Sequence, residues 1–255
     1  MSMGQSTPDP SRPKGLADLS ALRGNRLLAA LPSAALRELA PHVRSVALER
    51  GRVLFEPGDD VETTHLPCHS TMVSLLLVTR DGREVEAASI GREGAAGGIV
   101  SAGHKPAYGR AVVQVPGPSL AVATDQLEAA KRRHPAIADL FSRYADALLA
   151  QVMQSVVCNA LHPVEQRAAR WLLSTHDRAG EDIIRLTQQA LAEMLGVQRT
   201  TVSGVAKALE HRGLIRQHHG HVEIVDREGL EAACCECYAA VDAHYRTLMP
   251  EVAED

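Results

Sequence analysis

The sequence predicts an α+β chain: an N-terminal β-roll of jelly-roll type, one long helix, and a C-terminal helical unit that closes on a small β-wing. Three observations predict it. Short alternating or apolar segments, each bounded by Gly, Pro or Asp turns, fill residues 43–124, as many-stranded antiparallel folds require. A single apolar stripe at helical spacing then runs across residues 136–160. Beyond it, residues 186–215 carry two short helical patterns separated by a glycine.

Composition sets limits on function. The 255 residues allow one large or two modest domains. Hydrophobic residues make up 45% and aromatics only 3%, so the cores must be built from Leu, Val, Ile and Ala. The formal net charge is −4, so any affinity for nucleic acid must come from a local patch. Five scattered cysteines argue against a disulfide framework and for a reducing, cytoplasmic setting. The N-terminal stretch shows no apolar core of signal-peptide type, and no run approaches membrane-spanning length. No nucleophile–base pair stands out, and GREGAAGG lacks the Lys-Ser/Thr ending of a phosphate loop, so catalysis is not expected.

In chain order, residues 1–13 are rich in Ser, Pro and Gly and read as a loose tail. A helical pattern begins near Asn25 with Leu27, Leu28 and Leu31, and Pro32 starts a second helix at Ser33 carrying Leu36 and Leu39. The strand candidates are VRSVAL, RVLFE, MVSLLLV, REVEAASI, RAVVQV and SLAVAT. Arg80, Asp81 and Gly82 mark a hairpin, with Asp-Gly suited to a two-residue loop. Residues 94–100 are expected to form a short helix between strands. A helix over 125–133 stops before Pro135, and the long helix follows. Its stripe of Ile137, Phe141, Tyr144, Leu148, Val152 and Val156 has a period near 3.5, which fits packing on a twin or on its own barrel. His162–Pro163 breaks the chain, and Pro163 opens a helix with Ala169, Trp171, Leu172 and Leu173.

Residues 186–215, LTQQALAEMLGVQRTTVSGVAKALEHRGLI, hold the chemistry. Thr187 is placed to cap the first helix, Leu191, Met194 and Leu195 form its apolar face, and Gly196 supplies the turn. In the second helix Val202, Val205 and Leu209 share one face, while Arg199, Thr200, Ser203 and Lys207 share the other with no acid among them. That is a helix-turn-helix whose second helix offers donors to a major groove. Residues 216–225 read as a wing turning at Gly220, and residues 228–248 as one last helix.

This order of parts resembles the CRP/FNR family of bacterial transcription regulators, from about Leu27 to Val225. FEPGDD, LLLVTRDGREVEAASIGREG and Arg110–Ala111 are similar to the family's roll signatures, and residues 186–215 to its DNA-binding motif. The resemblance implies a tail over residues 1–22, a cyclic-nucleotide-binding-like sensor roll over 23–134, a dimerisation helix over 135–161, a winged helix-turn-helix domain over 162–227, and a C-terminal helix and tail over 228–255. It implies a homodimer on a palindromic double-stranded operator, RNA polymerase as partner, and a small effector in the roll. Arg199 matches the guanine-reading arginine; Gln189, Gln198 and Thr201 match phosphate-holding positions. Thr200 and Gly204 match base-contacting positions but are short here.

The roll departs from the cyclic-nucleotide pattern. The family's Gly-Glu pair is replaced by Gly94–Ala95–Ala96–Gly97–Gly98, and its Arg-Ser-Ala run by Gly109–Arg110–Ala111. The pocket candidates are Glu93, Ala95, Ala96, Arg110 and Ala111, and a signal other than a cyclic nucleotide is expected. Three alternatives remain: a cyclic-nucleotide-responsive regulator, a roll with a vestigial DNA domain, and a thiol- or metal-based redox sensor using Cys234, Cys235 and Cys237. For those cysteines, packing as small hydrophobes is the favoured reading, since no fourth ligand is evident. His65, Cys68 and His69, and His218, His219 and His221, are weaker metal candidates.

Overall fold

The computed structural model describes residues 17–99 and 105–249. The expected tail over residues 1–13 lies outside them. Two four-residue helices, α1 (Leu19–Leu22) and α2 (Arg26–Ala29), open the described chain. Asn25 caps α2 by accepting from the Leu28 amide at 3.1 Å, while its buried Nδ2 donates to the carbonyls of Pro67 (2.8 Å) and Gly94 (2.9 Å). One side chain thus ends a loop, starts a helix and ties both to the roll. Helix α3 (Ser33–Leu39) begins directly after Pro32.

The roll has seven strands: β1 (Val43–Leu48), β2 (Val53–Phe55), β3 (Thr63–Pro67), β4 (Met72–Val78), β5 (Glu84–Ile90), β6 (Arg110–Val115) and β7 (Gly117–Ala123). They form two antiparallel sheets, ordered β1-β7-β3 and β2-β6-β4-β5. Leu48 from the first sheet meets Val73, Ile90, Ala111 and Val113 from the second in a buried cluster. A larger cluster joins Leu66 and Leu120 to Leu27, Leu28, Leu36 and Leu39. Each such fully buried leucine contributes roughly 1.5–3 kcal/mol.

Strand β3 is not anticipated by alternation, because its last four residues are all buried. It ends on Pro67, which is tolerated because β3 is an edge strand. The expected helix over 94–100 does not form across its described residues, 94–99. His65 and Ala96 instead pair backbone to backbone, and Gly97 and Gly98 adopt φ of 92° and 60°. The β4–β5 connection is longer than a two-residue loop: Thr79 N donates to Arg83 O at 2.9 Å, and Gly82, at φ 81°, closes the intervening turn.

Helix α4 (Thr124–Arg133) leads into α5 (Pro135–Leu161), whose 27 residues span ~40 Å at the usual helical rise. Within the expected stripe, Ile137, Phe141 and Tyr144 are buried in their own chain's core, and Leu148 packs on the roll. An outward apolar face is formed by Leu149, Met153, Val156, Val157 and Leu161, of which only Val156 belongs to the expected stripe. No helix among the described residues is long and apolar enough to cross a membrane.

The C-terminal part comprises α6 (Val164–Ala179), β8 (Ile183–Ile184), α7 (Gln188–Leu195), α8 (Arg199–His211), β9 (Ile215–His218), β10 (His221–Ile224), α9 (Arg227–Ala233) and α10 (Cys237–Leu248). Strand β8, too short to show a sequence pattern, adds a third member to the wing in the order β8-β10-β9. Two polar links, one buried and one partly buried, hold α6 to the roll. Trp171 Nε1 donates to Glu86 Oε2 at 2.6 Å, with Ser74 and Ser89 bonding the other carboxylate oxygen, and Arg178 Nε donates to Glu93 Oε1 at 2.8 Å. The last helix expected over 228–248 is in fact two helices. Cys234 is extended (φ −81°, ψ 163°), and the chain turns at Cys235 and Glu236 before α10 begins. α10 then packs back along α5.

Candidate nucleic-acid interface

The interface is built from the turn outward. Thr187 Oγ1 accepts from the Ala190 amide at 3.1 Å and so satisfies one of the free donors at the start of α7. Gly196, at φ 63°, ends that helix in the left-handed conformation that an ordinary side chain resists. A buried arginine from α6, Arg167, donates through Nη2 to the Leu195 carbonyl, and burial lowers its basicity. Val202, Ala206 and Leu209 turn α8 inward onto a core with Leu191, Leu195 and Trp171. The crossing is close because Ala192 is small and almost fully buried.

That packing leaves Arg199, Thr200, Thr201, Gly204 and Lys207 exposed on the outer face of α8. Among the described residues, neither Arg199 nor Lys207 is held in an ion pair, so both charges face solvent. A Cβ at Gly204 would meet nothing within 4 Å, so this position is open space on the outer face. Gln198, just before α8, is also exposed. Gln189 is exposed on α7, where its Nε2 donates to Glu193 Oε1 at 2.8 Å.

Ser203 is half-buried on α8. Its hydroxyl does not point freely outward but bonds Gln188 Oε1 (2.5 Å) and the Arg199 carbonyl (3.1 Å). Gln188 Nε2 donates in turn to Gln217 Oε1 (2.7 Å), and Gln217 donates through N and Nε2 to the two oxygens of Glu210. This relay fixes α7, α8 and the wing as one body. The Gln217 amide, then its side chain, hold the Glu210 carboxyl below its usual range. Gln188, Gln217 and Glu210 carry no sequence signal, because ordinary polar residues reveal such a relay only when three elements are assembled.

On the wing, the His218 and His221 rings stack with centroids 4.4 Å apart, and His219 is exposed beside the turn at Gly220. Glu223 pairs with Arg216 (2.7 Å) and His218 (3.3 Å). The wing is therefore not a bare cationic patch.

The roll candidates do not converge on a pocket. Ala95, Ala96 and Ala111 are completely buried, whereas Arg110 lies at the surface in ion pairs with Glu56 (2.8 Å) and Glu84. Glu93 is separate from them. It lines a cleft of about 680 Å³ between the roll, α5, α6 and α10, where it meets Arg178 and faces Tyr144 and Tyr245. Burial first, then the Glu93 charge, push both tyrosine hydroxyls well above their ordinary pKa.

The cysteines divide as well. Cys235 and Cys237 gather with Cys158 of α5 and His162 at its end, all four ligand atoms lying within 4.8 Å of one another. Cys234 is not a member and packs partly against the helical core. Sequence reasoning passed over Cys158 because it lies in an apolar helix, and over His162 because it reads as a chain break. His65 is buried in β3, where desolvation and then Arg52 push its pKa down to about 4; Cys68 is raised to about 11 by burial, and His69 is exposed. Among the described residues, neither that group nor the wing histidines form a metal-holding cluster.

Residues 166–233 match the model of the Crp-like helix-turn-helix domain. They form a Crp-like helix-turn-helix domain. About three quarters of the chain also resembles solved structures. FixK2 from Bradyrhizobium japonicum is 16% identical with a TM-score of 0.66, over 76% of this chain and 98% of that one. The c-di-GMP-responsive global regulator CLP of Xanthomonas campestris is 17% identical with a TM-score of 0.61, over 76% and 99%. CooA from Carboxydothermus hydrogenoformans, solved as a mutant, is 14% identical with a TM-score of 0.55, over 78% and 89%. Roll, long helix and Crp-like domain thus share the fold of these solved structures. No curated protein matches the chain at the sequence level.

Proposed function

We propose that this protein is a sequence-specific transcription regulator that binds a palindromic operator as a homodimer, in the cytoplasm and alongside RNA polymerase. The observation that carries the reading is the outer face of α8. Arg199, Thr200, Thr201 and Lys207 are exposed on a helix braced by a capped partner, within a Crp-like domain. Arg199 is the base reader, able to give two hydrogen bonds to one guanine edge. Lys207, Gln189, Gln198 and Thr201 face phosphates, which set position and salt dependence. Ser203 contributes by orienting the helix.

The dimer rests on α5, whose outward apolar residues are left exposed among the described residues. A second copy is the occupant, since a two-fold seam there would set two recognition helices ~34 Å apart, one turn of DNA. The signal is not a cyclic nucleotide. A bound cyclic phosphate needs a positioned cation and its ribose a partner, yet Ala95 and Ala96 are sealed in the roll and Arg110 is engaged by two glutamates.

The test begins with operator selection from random duplex DNA. Arg199→Ala should weaken the selected site by ~1–3 kcal/mol and relax preference at one position per half-site. Lys207→Ala should weaken all sequences alike and reduce the salt slope by about 1. Unchanged operator affinity in Arg199→Ala would refute the assignment of α8.

A further inference from the structure

We propose that Cys158, His162, Cys235 and Cys237 form a tetrahedral site for a single zinc-type divalent cation. Four ligands around one zinc, at ~2.3 Å for sulfur and ~2.0 Å for nitrogen, stand roughly 3.5–3.8 Å from one another. Here Cys158 Sγ and Cys235 Sγ are 3.6 Å apart, and Cys237 Sγ and His162 Nδ1 are 3.4 Å apart. The three cysteines are at most 5% exposed.

The surroundings fit a metal site better than a simple apolar cluster. With Nδ1 turned toward the sulfurs, the other ring nitrogen of His162 lies 3.2 Å from Glu236 Oε1. A histidine that binds metal through one nitrogen and is oriented by a carboxylate on the other is the usual second-layer arrangement. Gln154 Nε2 donates to Cys237 Sγ at 3.1 Å and would stabilise its thiolate. Zinc is favoured over an iron–sulfur cluster because a cluster places its thiolates on different irons and spreads them more widely than this group allows.

The backbone is arranged for the site. On a continuous helix, residues 235 and 237 would point to nearly opposite sides. The break after Ala233 removes that conflict and turns both thiols onto the cluster. Cys158, in the last turn of α5, and His162, the residue just past its end, supply the other two ligands. A bound ion would join the α5–α6 junction to the α9–α10 junction, and so fix the angle at which the Crp-like domain leaves the long helix. Binding releases the thiol protons and changes no oxidation state.

The experiment is zinc analysis of the full-length protein purified under reducing conditions, followed by exchange with cobalt. We expect one zinc per chain, thiolate-to-cobalt charge-transfer bands and the strong visible bands of tetrahedral cobalt. Cys237→Ser and His162→Ala should lose the ion or weaken its binding at least tenfold, whereas Cys234→Ser and Cys68→Ser should retain it. Folded wild-type protein without zinc and without tetrahedral cobalt bands would overturn the proposal, even if the variants fail to fold. So would iron with inorganic sulfide, or a Cys158–Cys235 disulfide in the reduced preparation. Zinc content is measured without DNA, so this site and the operator reading fail independently.

Discussion

The two halves of α5 carry the same kind of residue at the same spacing and meet opposite fates. In the N-terminal half, Ile137, Leu140, Phe141 and Tyr144 are all but sealed under α1–α4 and the first sheet. In the C-terminal half, Leu149, Met153, Val156 and Leu161 remain 56%, 58%, 65% and 73% exposed. Leu148 marks the change, since it still leans on the roll while Leu149 faces outward. Periodicity tells that a helix face is apolar, but not what covers it. An exposed apolar row of this length calls for a partner, and of the periodic stripe only Val156 belongs to it.

Breaking the buried half should have the largest effect. Phe141→Ala removes a ring that is 1% exposed and should cost ~3–5 kcal/mol in chemical denaturation. A loss under 1 kcal/mol would show that this half is not part of the core. Next in size is Met153→Glu on the outer half. It should leave the melting temperature of the monomer nearly unchanged while placing two carboxylates near a two-fold axis. Like charges so placed cost several kcal/mol, so dimer affinity should fall ~100-fold or more by sedimentation. Leu148→Glu sharpens the contrast, because it should damage the roll contact and lower folding stability rather than separate subunits alone. Tyr144→Phe is the smallest change. The Tyr144 hydroxyl donates to the Ala95 carbonyl over a long 3.3 Å, and its loss should cost ~0.5–1.5 kcal/mol, read as a small shift of the denaturation midpoint.

What was legible in the sequence was local. Thr187 as cap, Gly196 as turn and the inward face of α8 all lie within one short stretch, residues 187–209, and the structure places them as expected. Six of the seven roll strands announce themselves through alternation or turn residues, while β3 does not, because burial on both sides erases its alternation. The wing's β8 is too short to have a pattern. Long-range features were beyond reach for the same reason. Cys158 and Cys235 are 77 positions apart, and nothing in either neighbourhood points to the other. The relay through Ser203, Gln188, Gln217 and Glu210 likewise needs three elements in place. The roll taught the converse lesson: the missing acid at Ala95 and Ala96 was visible, but only the structure shows Arg110 drawn away to Glu56 and Glu84.

The central claim is that two copies, joined along the outer half of α5, read one operator with two α8 helices. The most direct measurement is the stoichiometry of the protein–operator complex by sedimentation velocity, using a selected duplex labelled at one end. The account predicts two chains per duplex, with Met153→Glu forming little complex at the same concentration. A complex of one chain per duplex at full affinity, or an unimpaired two-chain complex from Met153→Glu, would contradict it.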